Sequence, residues 1–231
     1  MSLPSSGSKL LAAVDALGFE TLGSSFLGRP IVGRRFGGDG RPVLMFGGIH
    51  GDEPSSVEVL LDRIATLDAD APVPVWLIPA LNPDGLLETR KNSARDVDLN
   101  RNFPAHSWTA GYAPGYFPGT GPLSEPETRA LANLIAEERP RAVVAVHAPF
   151  ACVNYDGPAA DWAAAVAAAC GWPARAHIGY PTPGSLGSWL GLDQGLPVLT
   201  LELPPGEASG FRAQAAAGLV AALDFFRRPP S

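Results

Sequence analysis

Val43-Leu44-Met45-Phe46-Gly47-Gly48-Ile49-His50-Gly51-Asp52-Glu53-Pro54 reads as a strand, a tight turn and the start of a helix. Four consecutive apolar residues are the pattern of a strand buried on both faces. Two glycines end it. Pro54 fits a first helical position, where no N–H is needed, and Val57, Leu60, Leu61 and Ile64 give the helix one apolar stripe. The turn carries His50 and Glu53. Side chains at such a turn point into the cleft beyond the strand's end. Imidazole with carboxylate suits a borderline ion such as zinc, whose catalytic sites take three protein ligands and a water. His-x-x-Glu alone recurs by chance, so its meaning depends on what the rest of the chain delivers.

The same alternation continues outward. Residues 10–17 are predicted as a short helix, and residues 26–36 as a strand broken at Gly28-Arg29-Pro30. Residues 73–81 form a further strand, stopped by the turn signal Asn82-Pro83-Asp84-Gly85. Periodicity is lost over residues 82–123, and so long an aperiodic stretch in a compact domain marks a functional loop. Ser124, with Glu127 following in capping-box spacing, is predicted to start a helix that runs to about Glu138 and is ended by Pro140. Residues 142–146 are a buried strand delivering His147, and residues 161–170 an alanine-rich helix. Residues 196–203 are a strand delivering Glu202, and residues 213–226 a closing helix. Strands alternating with helices indicate an α/β fold with a mixed or largely parallel central sheet.

A chain of 231 residues with 46% hydrophobic content is long enough for one large domain, expected to span residues 1–231, with a sizeable core. A net charge of −6 argues against a nucleic-acid surface. No apolar stretch approaches the length of a membrane span. Met1-Ser2-Leu3-Pro4-Ser5-Ser6-Gly7-Ser8-Lys9 lacks the basic start and apolar core of a signal peptide, so the expected location is cytoplasmic. Cys152 and Cys170 have no metal-pair spacing and are expected to be reduced core thiols.

Three predicted strands thus end in polar residues: His50 with Glu53, His147, and Glu202. In α/β sheets, sites form where strand ends meet loops. His50, Glu53 and His147 are therefore candidate ligands of one zinc ion. Glu202 is the candidate general base, taking a proton from water and passing it to a leaving amine. The aperiodic loop adds Arg90, Asp98, Asn100 and Arg101. Arginine holds a carboxylate with a planar fork, so Asn100 and Arg101 could grip a substrate's terminal carboxylate. Arg90 could face the scissile carbonyl and stabilise an oxyanion. Asp98 could accept the free N–H of a metal-binding histidine. His106 and His177 receive no role.

His50-x-x-Glu53, Asn82-Pro83-Asp84-Gly85, Asp98-Leu99-Asn100-Arg101-Asn102, His147 and Glu202, in this order, resemble the zinc carboxypeptidases of the carboxypeptidase A type, the M14 peptidases. The likeness runs over residues 26–203. It implies a three-layer α/β/α sandwich around a mixed, largely parallel sheet, with one Zn2+ per chain held by His50, Glu53 and His147. It also implies oxyanion stabilisation by Arg90, carboxylate binding by Asn100 and Arg101, and catalysis by Glu202. Within the family, residues 47–53, His147-Ala148-Pro149, residues 181–189 and Leu201-Glu202-Leu203-Pro204 resemble the murein peptide amidase branch. That resemblance implies a small peptide substrate, murein tripeptide, cut at its γ-D-glutamyl–diaminopimelate bond during cell-wall recycling. Diaminopimelate carries an extra amine and carboxylate, for which Asn154, Asp156, Thr182 and Ser185 are candidate partners. The family tends to place cis peptides beside its site, and Ala148-Pro149 or Pro204-Pro205 is expected to be one. Larger members carry a tyrosine between the third ligand and the catalytic Glu; the comparable stretch here holds Tyr155 and Tyr180, and residues 179–189 are expected to rim the pocket. Two other readings share these residues: a deacylase of small N-acyl amino acids, of the aspartoacylase and succinylglutamate desuccinylase type, and a non-catalytic sensor of cell-wall peptides. Residues 98–102 and 181–189 favour the amidase over the first, and the intact ligand set with Glu202 favours it over the second.

Overall fold

The computed structural model describes residues 6–206 and 209–227. Its strands are β1 (Glu20–Ser24), β2 (Pro30–Phe36), β3 (Val43–Phe46), β4 (Val75–Ile78), β5 (Ala142–His147), β6 (Cys152–Asp156), β7 (Ala174–Arg175) and β8 (Val198–Glu202). Its helices are α1 (Ser6–Asp15), α2 (Pro54–Asp70), α3 (Pro83–Glu88), α4 (Pro126–Glu138), α5 (Ala160–Cys170) and α6 (Phe211–Asp224). The strands form one sheet in the order β1-β2-β4-β3-β5-β8-β6-β7. Its centre, β4-β3-β5-β8, is parallel, and so is β6 with β7. The pairs β1–β2, β2–β4 and β6–β8 are antiparallel.

Two apolar layers cover this sheet. Val43 and Met45 of β3 join residues of α2, α5 and α6, whereas Leu44 and Phe46 join residues of α4 on the opposite face. β3 is thus buried on both sides, which is why its sequence reads as an unbroken apolar run. The arrangement is a three-layer α/β/α sandwich. Cys152 and Cys170 are free and buried in it. No helix among the described residues is long and apolar enough to cross a membrane.

Several local expectations are corrected. Phe26 and Leu27 lie not in a strand but in an exposed turn between β1 and β2. Asn82-Pro83-Asp84-Gly85 is a helix start: the Asn82 side chain accepts the Gly85 N–H at 2.9 Å and Pro83 opens α3. Turn and cap share Asn and Pro because both need a fixed φ and a short acceptor. The capping box at Ser124 does not form, since α4 begins at Pro126 with Glu125 as its cap residue. Ser124 Oγ instead accepts from Asn102 Nδ2 and donates to Glu125 Oε1, both at 2.9 Å.

Glu127 is wholly buried. Its Oε1 accepts the Phe26 N–H at 2.9 Å, while Oε2 has no hydrogen-bond partner. Burial, helped by Glu125 and Asp84, raises its pKa above the ordinary glutamate value, with the Phe26 and Glu127 N–H groups pulling the other way. The folded carboxyl therefore holds its proton more tightly than the unfolded one. Stability falls as pH rises from the ordinary value through the raised one. Glu127→Gln keeps the accepting oxygen and removes the charge. Tm is expected to rise by about 2–4 °C at pH 8, the effect of roughly 1 kcal/mol in a chain of this size, and by less at pH 4. Thermal melts at the two pH values check this; a fall at pH 8 would show that the charge is not the cost.

Candidate metal centre and active site

Three neighbouring strands of the sheet, β3, β5 and β8, bring their C-terminal ends to one place. After β3 the chain turns through Gly47 and Gly48. Gly48 has φ 60°, and a Cβ there would stand 2.9 Å from a Val57 methyl and 3.1 Å from Ala80 Cα. Glycine is required here by conformation and by space. The turn carries His50 over the sheet's end and leaves Glu53 at the cap position of α2, where its side chain makes no capping bond. That carboxylate reaches the histidines instead. His147 ends β5 and stands in register with Glu202, which ends β8.

Glu53 Oε1 lies 2.9 Å from His50 Nδ1, and Glu53 Oε2 lies 3.2 Å from His147 Nδ1. One ligand atom from each of the three residues falls within 4.8 Å of the others. His50 Nε2 meets Asp98 Oδ1 at 3.1 Å, so this nitrogen carries a hydrogen and Nδ1 faces the cluster. Asp98 Oδ2 accepts from Lys91 Nζ at 2.7 Å, and Asp98 Oδ1 also takes the Asn100 N–H at 2.9 Å. One buried carboxylate thus holds a histidine, a lysine and the backbone that presents Asn100 and Arg101.

The electrostatics fit a divalent cation. Burial works against a charged His50, yet Glu53 and Asp98 raise its pKa to about 9. Burial likewise opposes ionised Glu53, but His147 and His50 lower it to about 2. Asp98 is lowered against burial by its hydrogen bond to His50, with Arg101 and Lys91 adding to this. Two imidazole nitrogens and a carboxylate that favour positive charge between them are a donor set suited to zinc. Beside them, burial raises the Glu202 carboxyl, with Glu53 adding and His147, the Phe150 N–H and His50 opposing. Glu202 Oε2 is buried without a hydrogen-bond partner.

A cavity of about 540 Å³ opens over this cluster, lined also by Lys91, Asn100, Arg101, Tyr116 and Tyr180. Residues 13–161 match the zinc carboxypeptidase family, peptidase M14. The chain belongs to the M14 zinc carboxypeptidases. It is a hydrolase acting on peptide bonds, of a family whose cofactor is zinc. Murein peptide amidase A of Escherichia coli K12 is 36% identical over 201 residues, 81% of this chain and 82% of that protein. Its counterpart in Vibrio campbellii is 37% identical over 176 residues, 70% and 69% of the two chains. The crystal structure of murein-tripeptide amidase from E. coli O157 superposes with a TM-score of 0.76 at 33% identity, covering 93% of both chains. Carboxypeptidase A of Helicoverpa armigera, at 20% identity and TM-score 0.74, shares the fold over 96% of this M14 chain and 73% of its own.

The structure brings His50, Glu53, Asp98, Asn100, Arg101, His147 and Glu202 to this one site. Arg90 is not among the cavity-lining residues. Thr89 ends α3 in a left-handed conformation, φ 53°, and the Arg90 side chain leaves toward Glu88, 3.5 Å away. The cation that this loop turns to the cavity is its neighbour, Lys91. Of the two tyrosines in the stretch between the third ligand and Glu202, Tyr180 lines the cavity and takes a hydrogen bond from Arg101, whereas Tyr155 packs against the core; Tyr116, to which the sequence drew no attention, lines the cavity as well. The Ala148–Pro149 bond is cis.

Proposed function

We propose that this M14 enzyme hydrolyses the γ-D-glutamyl–meso-diaminopimelate amide of murein tripeptide, in the cytoplasm, as a step of cell-wall recycling. Its likeness to the murein peptide amidases supports the substrate. The observation that carries the reading is Arg101. Its guanidinium is buried at the cavity wall, donates to the Asn100 carbonyl, stacks 5.2 Å from the Tyr116 ring, and makes no ion pair among the described residues. A buried guanidinium that shares the field of Asp98 but forms no salt bridge of its own, facing a cavity, is a seat for a substrate carboxylate.

His50, Glu53 and His147 would hold the zinc, which when bound polarises the scissile carbonyl and lowers the pKa of water. Arg101 docks the carboxylate next to the scissile amide. Asn100 assists: its side-chain oxygen is taken by the Leu186 N–H at 3.1 Å, which leaves its amide hydrogens to donate. That docking fixes the scissile carbonyl over the His50–Glu53–His147 cluster. Glu202 accepts a proton from the attacking water as its oxygen bonds to the carbonyl carbon. The same proton passes from Glu202 to the leaving nitrogen as the C–N bond breaks. Asp98 positions His50. An oxyanion contact through Arg90 needs that side chain to leave Glu88, an exposed pair of little energetic weight.

Mass spectrometry of a murein tripeptide digest tests this, with and without chelator. Free diaminopimelate is expected as the product. A tripeptide with the carboxylate beside the scissile amide converted to a primary amide is expected to be cut about 100-fold less efficiently, since Arg101 then loses a charge-assisted pair. Intact tripeptide after incubation with the zinc-loaded enzyme would reject the substrate.

A further inference from the structure

The loop between Arg101 and α4 turns one aromatic side chain back over the site. The chain is tied down on both sides of Tyr116: the Gly115 carbonyl accepts from Lys91 Nζ at 3.1 Å, and the Phe117 carbonyl accepts the Asp98 N–H at 2.8 Å. The Tyr116 N–H itself donates to the Ala113 carbonyl at 3.0 Å. A residue anchored through both neighbours has little freedom, although Tyr116 is 37% exposed. Its side chain lines the main cavity. Lys91 Nζ lies 3.8 Å from the centre of its ring and Arg101 Cζ 5.2 Å from it. Both distances are within the range of cation–π attraction.

We propose that Tyr116 is a positioning residue for substrate capture: its ring braces the Arg101 guanidinium and shields from water the pair that Arg101 forms with the substrate's carboxylate. This role rests on the reading of Arg101 as the carboxylate's seat. Arg101 gives one N–H to the Asn100 carbonyl and one to Tyr180. A ring contact fixes the guanidinium plane without consuming a further donor, so the remaining N–H groups stay free for the anion. Lys91 is committed in another way, to Asp98 Oδ2 at 2.7 Å and to the Gly115 carbonyl. The same ring therefore serves Arg101 as a brace and Lys91 as a third neighbour.

Access of water decides how much a carboxylate gains from Arg101. An exposed ion pair is weak and screened by salt, whereas a covered one is stronger and less sensitive. Arg101 is 6% exposed and the ring against it is far more so, which makes the ring the layer between the guanidinium and solvent on that side.

Kinetics of the zinc-loaded enzyme on murein tripeptide test this. Tyr116→Ala is expected to raise KM about tenfold and to leave kcat within about twofold, because docking is weakened while the proton transfers through Glu202 are untouched. Between about 0.01 M and about 0.1 M salt the screening length falls from about 30 to about 10 Å, and over that range the KM of Tyr116→Ala should climb more steeply than that of the wild type. Tyr116→Phe keeps the ring and should restore both the KM and its salt dependence. Tyr116→Leu keeps bulk without the ring's negative face, and is expected to raise KM in the same direction should the alanine variant not fold. A readout that needs no substrate is the Arg101 Nε–H resonance, assigned by its loss in Arg101→Lys. Tyr116→Ala or Tyr116→Leu is expected to shift it and to speed its exchange with water, and Tyr116→Phe to leave it in place. Intact tripeptide with the wild type, together with a displaced Arg101 signal in the variants that lack the ring, would remove the murein reading and keep the assignment of Tyr116. An unmoved Arg101 signal, a wild-type KM without the ring, a loss confined to kcat, or a Tyr116→Phe protein as impaired as Tyr116→Ala would overturn the assignment.

Discussion

Glu202→Gln is expected to keep its zinc and its fold while kcat drops by about three orders of magnitude, within the range of general acid–base catalysis. Gln matches Glu in shape, and the side chain is 5% exposed, so packing at the end of β8 is preserved. The amide cannot accept the proton that water must lose. KM should change little, because Arg101 and Asn100, which dock the substrate, lie on a different loop and make no hydrogen bond to Glu202. Metal content by atomic absorption, with kcat and KM on the same preparation, separates the possibilities. Zinc retained with near-normal kcat would take Glu202 out of the reaction. Zinc lost along with activity would make it a determinant of the centre rather than its base.

The residues that were legible in the sequence are those whose position follows from strand periodicity. Val43–Phe46 appears in the structure with its expected bounds because a parallel strand covered on both faces must be apolar throughout. Polar residues directly after such runs have few places to go, which made His50, Glu53, His147 and Glu202 stand out together. β6 escaped because Cys152-Val153-Asn154-Tyr155-Asp156 is only half buried toward its end, and β7 because two exposed residues carry no pattern. Arg90 and Lys91 are adjacent and alike in charge. Which of them meets the cavity is fixed by the left-handed turn at Thr89, a residue type that does not announce it. The grip of Asp98 on both His50 and Lys91 is likewise tertiary, since the carboxylate reaches a histidine 48 positions away.

Glu53→Ala is expected to lose zinc at working concentrations and with it all measurable turnover. Among the described residues the carboxylate is the one group within hydrogen-bond distance of both histidines, and it also accepts the Ala148 N–H at 3.2 Å. An apparent 10–16 kcal/mol for a four-ligand zinc site amounts to about 3 kcal/mol per ligand, or about two orders of magnitude in affinity. Removal of the charge should cost more than that average, because Glu53 is the charged member of the donor set and the two histidines are neutral when they bind a metal. The helix should survive. Glu53 sits at the cap of α2 without capping it, and Pro54 presents no N–H to satisfy. Circular dichroism should therefore match the parent while zinc titration does not. Asp98→Asn is the graded control: it disturbs a ligand's support rather than a ligand, and a loss of about 10–100-fold in affinity is expected. Stoichiometric zinc in Glu53→Ala, or a larger loss in Asp98→Asn than in Glu53→Ala, would mean that the ion binds through some other set of atoms than His50, Glu53 and His147.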